Sequence, residues 1–398
     1  MRLDGILLWD GTEARGPVDI DWEPDRIGEI RPAAQRHDDL CVIPGLVDTH
    51  VHLVGYAGPH RPPPDFATWP LVTTRDEQVL HGAAHAQRAM RNGVTTLRDL
   101  AGDEAQIALR RAFDTGVLPG PRVQVHGVVG MTAGHNDLFV PPAFPQRKPT
   151  ADGPDECRKL VRTWARAGMD GIKLTTSGGV LSIGDKNAWR NYTREEIRAV
   201  VDEAHALGML VASHAHSEDG IRVAAEEGVD SIEHGTLMSR DLAETLAARR
   251  TPVAPTLLIN EAIAAGRVPV TPEAMAKAAE LVARRDVLLA EAARLGVRFV
   301  LGTDANGHHV QFGDQLAEVV RMTEVLGMDA ESALRAATSD AADAIGAPVG
   351  RIAPGLGADL VVLRGRPWER IEDLATENIV AVVSRGRLVA GALPGPRP

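Results

Sequence analysis

Residues 44–53 read PGLVDTHVHL, an apolar run behind a Pro-Gly turn that carries two histidines one residue apart. In a strand, side chains at i and i+2 leave the same face, so His50 and His52 are expected to point one way, about 7 Å apart along the chain. Neutral imidazoles aimed at one spot suit a divalent metal. Similar residues recur further on: Lys173 in GIKLTT (171–176), His214 and His216 in MLVASHAH (209–216), His234 in DSIEHG (230–235) and Asp304 in RFVLGTDA (298–305). Singly, each has a plainer explanation. Paired histidines can be hydrogen-bonded core residues, Lys173 can snorkel to a rim, His234 can close a loop and Asp304 can cap a helix. Together they make a set suited to two metal ions, provided the lysine becomes an oxygen ligand, because an ammonium has no lone pair. Burial favours the free amine, which can take up carbon dioxide, and the resulting carbamate has two oxygens to bridge two cations. A hydroxide shared by both ions is then a nucleophile near neutral pH.

These residues need elements to bring them together. Eight strand candidates run from residue 41 to 305: 41–53, 94–100, 121–129, 171–176, 209–216, 230–235, 251–258 and 298–305. Helical patterns such as 193–208 and 219–228 alternate with them, and Gly93, Gly168, Gly208, Gly228 and Gly296 stand where helix C-caps need a left-handed residue. Eight alternating strands imply a parallel (β/α)8 barrel over residues 41–349. A doubly wound sheet is the alternative, but no Gly-rich phosphate turn follows the first strand. The polar residues above close their strands at the C-terminal end, where barrel enzymes carry their active sites. Residues 1–40 and 350–398 show strand patterns without helices between them and are expected to pair into one small β-sandwich.

Composition narrows the function classes. The chain has 398 residues, 44% hydrophobic and 24% charged, with a net charge of −11 spread along its length. That balance supplies no basic patch for nucleic acid, and two Tyr with six Phe offer little base stacking. No stretch approaches the ~20 apolar residues of a membrane span, and the first residues do not read as a signal peptide. Two cysteines, Cys41 and Cys157, make no disulfide framework, so a cytoplasmic location is expected. The expected partner is a small molecule, with homo-oligomers left open.

With these motifs in place the chain resembles the amidohydrolase superfamily, in the imidazolonepropionase-like branch that includes Xaa-Pro dipeptidases, related carboxypeptidases and ochratoxinase. The resemblance rests on PGLVDTHVHL, GVTTLRDLAG (93–102), GIKLTTSGGVLS (171–182), ASHAHSEDGIRVAAEEGVDSIEHGT (212–236), LGTDA (301–305) and PGLGADLVVL (354–363). It implies two divalent ions, zinc by preference, with carbon dioxide or bicarbonate needed to carboxylate Lys173. It assigns His50, His52 and Asp304 to the inner metal, His214 and His234 to the outer one, and Lys173 to the bridge. It also makes Asp304 the general base that passes a proton to the leaving amine. His216 and His135 match histidines near the substrate carbonyl, where either could stabilise an oxyanion. Arg98 and Asp99 would support the ligands, Asp99 by orienting a histidine. One departure stands out: prolidase-like members often carry a tyrosine where this chain has Leu237.

Substrate choice should lie in the loops after the strands. Trp69, Phe66, Phe144 and Trp189 are candidate apolar walls. Arg61, Arg147, Lys186 and Arg190 are candidate receivers of a carboxylate, with Trp69, Trp189 and Arg190 the substrate-binding choices. His308 and His309 are expected to face solvent. The reading is a dinuclear hydrolase of an amide bond in a small molecule, N-acyl amino acid or dipeptide. The alternatives are a mononuclear deaminase or cyclic-amide hydrolase, and a barrel without chemistry.

Overall fold

A computed structural model describes residues 1–34, 39–60, 63–144 and 147–395. The chain opens with β1 (Arg2–Trp9), β2 (Ala14–Trp22), β3 (Ile27–Pro32) and β4 (Leu40–Pro44). Seven strands of a second sheet follow: β5 (Leu46–Val51), β6 (Val94–Gly102), β7 (Arg122–Val128), β8 (Gly171–Thr175), β9 (Leu210–Ala215), β10 (Ser231–His234) and β11 (Val253–Ala254). The chain returns to the first sheet with β12 (Leu360–Arg364), β13 (Ile379–Ser384) and β14 (Arg387–Gly391). That terminal sheet has the order β14-β13-β12-β4-β1-β2-β3. It curls back on itself, with Trp22 Nε1 donating to the Gly386 carbonyl at 3.0 Å and Ile27 N to the Leu356 carbonyl at 2.8 Å. The fold-over encloses its own apolar core of Leu3, Ile6, Leu8, Ile20, Val362 and Val383.

The barrel strands β5 to β11 pair in parallel in sequence order. The eighth position is filled by residues 298–305, which are extended without forming a regular strand. Val253 N donates to the Arg298 carbonyl on one side, and Thr49 N to the Leu301 carbonyl and His52 N to the Ala305 carbonyl on the other. These bonds close the ring that the alternation implies. The five glycines expected at helix C-termini all take positive φ. The expected helix 193–208 spans Arg194–Ala206, started by a reciprocal cap between Thr193 and Glu196.

Two strand expectations need correction. The run 41–53 is two strands in different sheets, divided at Gly45, where a Cβ would lie 2.1 Å from Thr95 Oγ1. The first of them, β4, pairs with β1 and β12, so the terminal sheet reaches residue 44, past the expected boundary at 40. The run 251–258 keeps strand geometry only at Val253–Ala254, and a helix, Leu257–Ala264, starts inside it. The buried Glu318 carboxylate accepts from Leu257 N at 2.5 Å and Leu258 N at 3.0 Å, meeting the helix's first donors from sixty residues away.

Candidate metal centre

β5 and the closing eighth segment bring His50, His52 and Asp304 together, each offering one ligand atom within 4.8 Å of the others. Asp304 Oδ1 lies 3.0 Å from His52 Nε2 and 3.7 Å from His50 Nε2. Asp48 fixes the register behind them, accepting from His50 N and Thr303 N at 3.1 Å and from Thr303 Oγ1 at 2.6 Å. Asp304 itself has φ +57°. A non-glycine residue held in the left-handed region is strained, and such residues gather at functional sites. Burial pushes the Asp304 carboxyl up, but His50, His52 and Lys173 outweigh it and bring it down to about 2. Burial, with Lys173 nearby, brings His50 down to about 4, so its ring is neutral at ordinary pH and has a lone pair for a ligand.

β9 and β10 supply a second cluster, His214, His216 and His234, also within 4.8 Å by ligand atom. The Gly178 carbonyl accepts from His214 Nε2 at 3.2 Å, which leaves the lone pair on Nδ1. Threonine hydroxyls engage Nδ1 of the other two, Thr236 on His216 and Thr256 on His234, each at 2.7 Å. Nε2 is then the ring nitrogen left for a ligand or substrate. His234 bridges the clusters, its ring centroid 5.1 Å from that of His50 and 4.6 Å from that of His214. Burial holds His214 and His234 well below the usual imidazole value.

Lys173 lies on β8, level with Ala212 and so one inward-facing layer below His214. Its Nζ is buried with no hydrogen-bond partner among the described residues. Burial lowers its amine from 10.5 to about 8, against the pull of Glu233 and Asp304. A buried amine without a partner is the atom a carbamate would turn into a two-oxygen ligand, so the donor set fits a pair of divalent cations.

Glu233 is the polar residue that sequence reasoning missed. It is fully buried, and its Oε2 lies 2.9 Å from His50 Nδ1, close but out of line for a hydrogen bond. Arg98 Nη2 meets its Oε1 at 2.7 Å, and Arg98 Nε donates to the Thr49 carbonyl at 2.6 Å. Burial alone would raise the Glu233 carboxyl; Arg98 and His50 hold it well below the usual range. Asp99 accepts from the backbone, Leu53 N at 2.8 Å and Ala101 N at 3.1 Å, and so braces the loop beyond His52.

His135, from the loop after β7, stacks on His214 with ring centroids 4.4 Å apart. Its Nδ1 is 2.8 Å from Ser182 Oγ, whose own proton goes to Asp185 Oδ2 at 2.7 Å or to the Gly179 carbonyl at 3.2 Å. Both of those only accept, so His135 Nδ1 is the donor and the neutral ring keeps its lone pair on Nε2. Lys277 anchors the loop after β8, which carries Ser182, through Asp185 Oδ1 at 2.7 Å. Gly179 permits the stacking, because a Cβ there would meet His135 Cε1 at 2.0 Å.

These clusters open into a cavity of about 680 Å³. Phe66, Trp69, Phe144 and Arg147 line it as expected, whereas Leu237 packs against the core instead. The expectation fails for Trp189, Lys186 and Arg190, which are exposed and absent from the lining. Ser177 and Arg190 pair as an antiparallel bridge that folds the loop back and throws its tip outward. Arg61 lies outside the described residues. His308 and His309 are buried, at 3% and 7% exposed, rather than solvated, because Phe66 packs 5.3 Å from both rings.

A family model described as the amidohydrolase family matches residues 41–389. The chain belongs to the amidohydrolase family. Ochratoxinase of Aspergillus niger is 30% identical to it over 99% of this chain and 83% of the relative. Imidazolonepropionase of Deinococcus radiodurans is 26% identical over 95% of this chain and 88% of the relative. The crystal structure of a Xaa-Pro dipeptidase with methionine bound in its active site superposes with a TM-score of 0.86 at 31% identity, covering 97% of this chain and 98% of that one. This amidohydrolase is a hydrolase acting on carbon–nitrogen bonds, in the imidazolonepropionase-like branch. Among the described residues, no helix is long and apolar enough to cross a membrane.

Proposed function

We propose that this amidohydrolase cleaves an amide bond of a small molecule, in the class of N-acyl amino acids and dipeptides, at a two-metal centre. The observation that carries the reading is the pair of three-residue ligand clusters with the buried, unpartnered Lys173 amine beside them. His50, His52 and Asp304 would hold one cation, His214 and His234 the other, and carboxylated Lys173 would touch both. When bound, the cations would polarise the scissile carbonyl and acidify a water. Asp304 takes that water's proton and returns it to the leaving amine, since Oδ1 faces the two histidines and Oδ2 is left to carry a proton. His216 donates Nε2–H to the developing oxyanion while Thr236 fixes its ring. Neutral His135, with its proton on Nδ1, packs against His214 and holds that ring in place. Glu233, held by Arg98, sets its negative charge 2.9 Å from His50 Nδ1 and so favours the proton on that nitrogen, leaving Nε2 for a cation. The amidohydrolase likenesses to ochratoxinase and to a Xaa-Pro dipeptidase support the substrate class.

The test is hydrolysis, by zinc- and bicarbonate-reconstituted protein, of a panel of N-acyl amino acids and dipeptides, read by release of the free amine. Turnover that disappears on chelation and in Asp304→Asn supports the reading. Turnover that persists in Asp304→Asn would remove the general base and with it the mechanism.

A further inference from the structure

Thr256 occupies the N-cap position of the helix Leu257–Ala264, yet its side chain does not cap it. Thr74, Thr193 and Thr271 hold the same position at other helices of this chain. Each has an extended backbone, and each hydroxyl accepts from an amide of the first turn. Thr256 instead has φ +45°, a left-handed conformation that a β-branched residue rarely takes. Its hydroxyl is turned away from the helix and stands 2.7 Å from His234 Nδ1.

The amides that Thr256 leaves unmet are met from another helix. Glu318, on the helix Gln315–Leu326, is fully buried. One of its carboxyl oxygens accepts from Leu257 N at 2.5 Å and the other from Leu258 N at 3.0 Å. Arg285, also fully buried, donates Nη1–H to the Leu257 carbonyl at 2.8 Å and is itself tied to Glu261 at 2.6 Å. Leu257 is thus held at its N–H by one buried side chain and at its C=O by another, directly after the residue with the unusual backbone. Burial pushes the Glu318 carboxyl up to about 8, against the pull of the two amides and Arg285. With or without its proton, each oxygen keeps a lone pair for an amide.

We propose that Glu318 is a positioning residue for the metal ligand His234: by capping the helix in place of Thr256, it frees the threonine hydroxyl to fix the imidazole. With Nδ1 engaged, Nε2 is the nitrogen turned to a cation. Glu318 lies outside the cavity lining, so it acts through the backbone of residues 256–258. The inference rests on the two-metal reading and adds what aligns the outer site from behind.

The test uses Glu318→Gln, Thr256→Val and Thr256→Ser. Glutamine keeps the size of the side chain but sets an NH2 group against one of the two amides. Crystal structures of the metal-free variants read the geometry. In Glu318→Gln, residue 256 should leave positive φ and its hydroxyl should part from His234 Nδ1; in Thr256→Ser both features should stay. Zinc titration against a competing chelator reads the consequence. In Glu318→Gln and in Thr256→Val one of the two zinc ions should bind about 10–100-fold more weakly while the other keeps its affinity. The double variant should lose no more than either single one, because both break the same chain of contacts. Thr256→Ser should bind both ions as the wild type does. A Glu318→Gln protein that melts earlier but keeps the Thr256–His234 contact would overturn the proposal, leaving Glu318 a helix cap alone. Thr256→Val leaves the helix start in place, so unchanged zinc binding there would overturn the proposal even where Glu318→Gln does not fold. Loss of the contact in Glu318→Gln with both zinc affinities intact would remove His234 from the metal site, which overturns the two-metal reading and leaves the Glu318–Thr256 device standing.

Discussion

Replacing Lys173 by Met should stabilise the metal-free protein while destroying its metal centre. The change keeps an unbranched stem of nearly the same volume, one atom shorter, and removes a buried amine that has no hydrogen-bond partner among the described residues. Burial lowers that amine from 10.5 to about 8. The difference of about 2.5 on the pH scale corresponds to ~3 kcal/mol. Between those two values the unfolded chain binds more protons than the native one, so stability rises with pH across the window. Below pH 8 the native state carries the whole cost, and above pH 10.5 none of it. Metal-free Lys173→Met should therefore exceed metal-free wild type at pH 7 by up to ~3 kcal/mol, or roughly 3–4 °C in Tm for a chain of this size. The advantage should shrink as the pH is raised from 8 toward 10.5. Circular-dichroism melts of chelator-treated protein across that range measure it. A variant less stable than wild type at pH 7, or an advantage that ignores pH, would refute the argument that Lys173 is held at a cost for the sake of a ligand.

Glu233→Gln leaves Arg98 buried without its carboxylate and should cost about 3–5 kcal/mol in denaturant melts; it should also weaken metal binding by about 10–100-fold in a competitive titration. His216→Gln should lower kcat by about 10²-fold with the metal content unchanged; loss of an ion would make His216 a ligand. Trp189→Ala and Arg190→Ala, exposed at the base of the loop after β8, should leave kcat/KM within about twofold of wild type.

The barrel and most of the two clusters of candidate ligands are legible because strand alternation and strand ends report local geometry. His50, His52, His214 and Asp304 follow from position alone once each run is read as a strand. Glu233 is hidden by the same rule, since neighbours on a strand point to opposite faces. His234 escapes the rule with φ +71°, which lets both residues reach His50, and nothing in SIEHG announces that backbone turn. The end of the run 251–258 is misread for a different reason. A helix starts there, where Glu318 meets its first amides, a contact across some sixty residues. His308 and His309 look solvated beside Gly307, and only the distant Phe66 and Trp69 cover them. Trp189 errs the other way, as an aromatic residue in a long loop after a barrel strand that a backbone bridge turns out to solvent. What the sequence leaves out is long-range packing and left-handed backbone at polar residues.

The lysine-bridged centre is tested most directly by metal stoichiometry, measured by elemental mass spectrometry on protein saturated with zinc and bicarbonate. It predicts two ions per chain in the wild type and one or fewer in Lys173→Ala. One ion in the saturated wild type, or two retained in Lys173→Ala, would contradict the lysine-bridged centre.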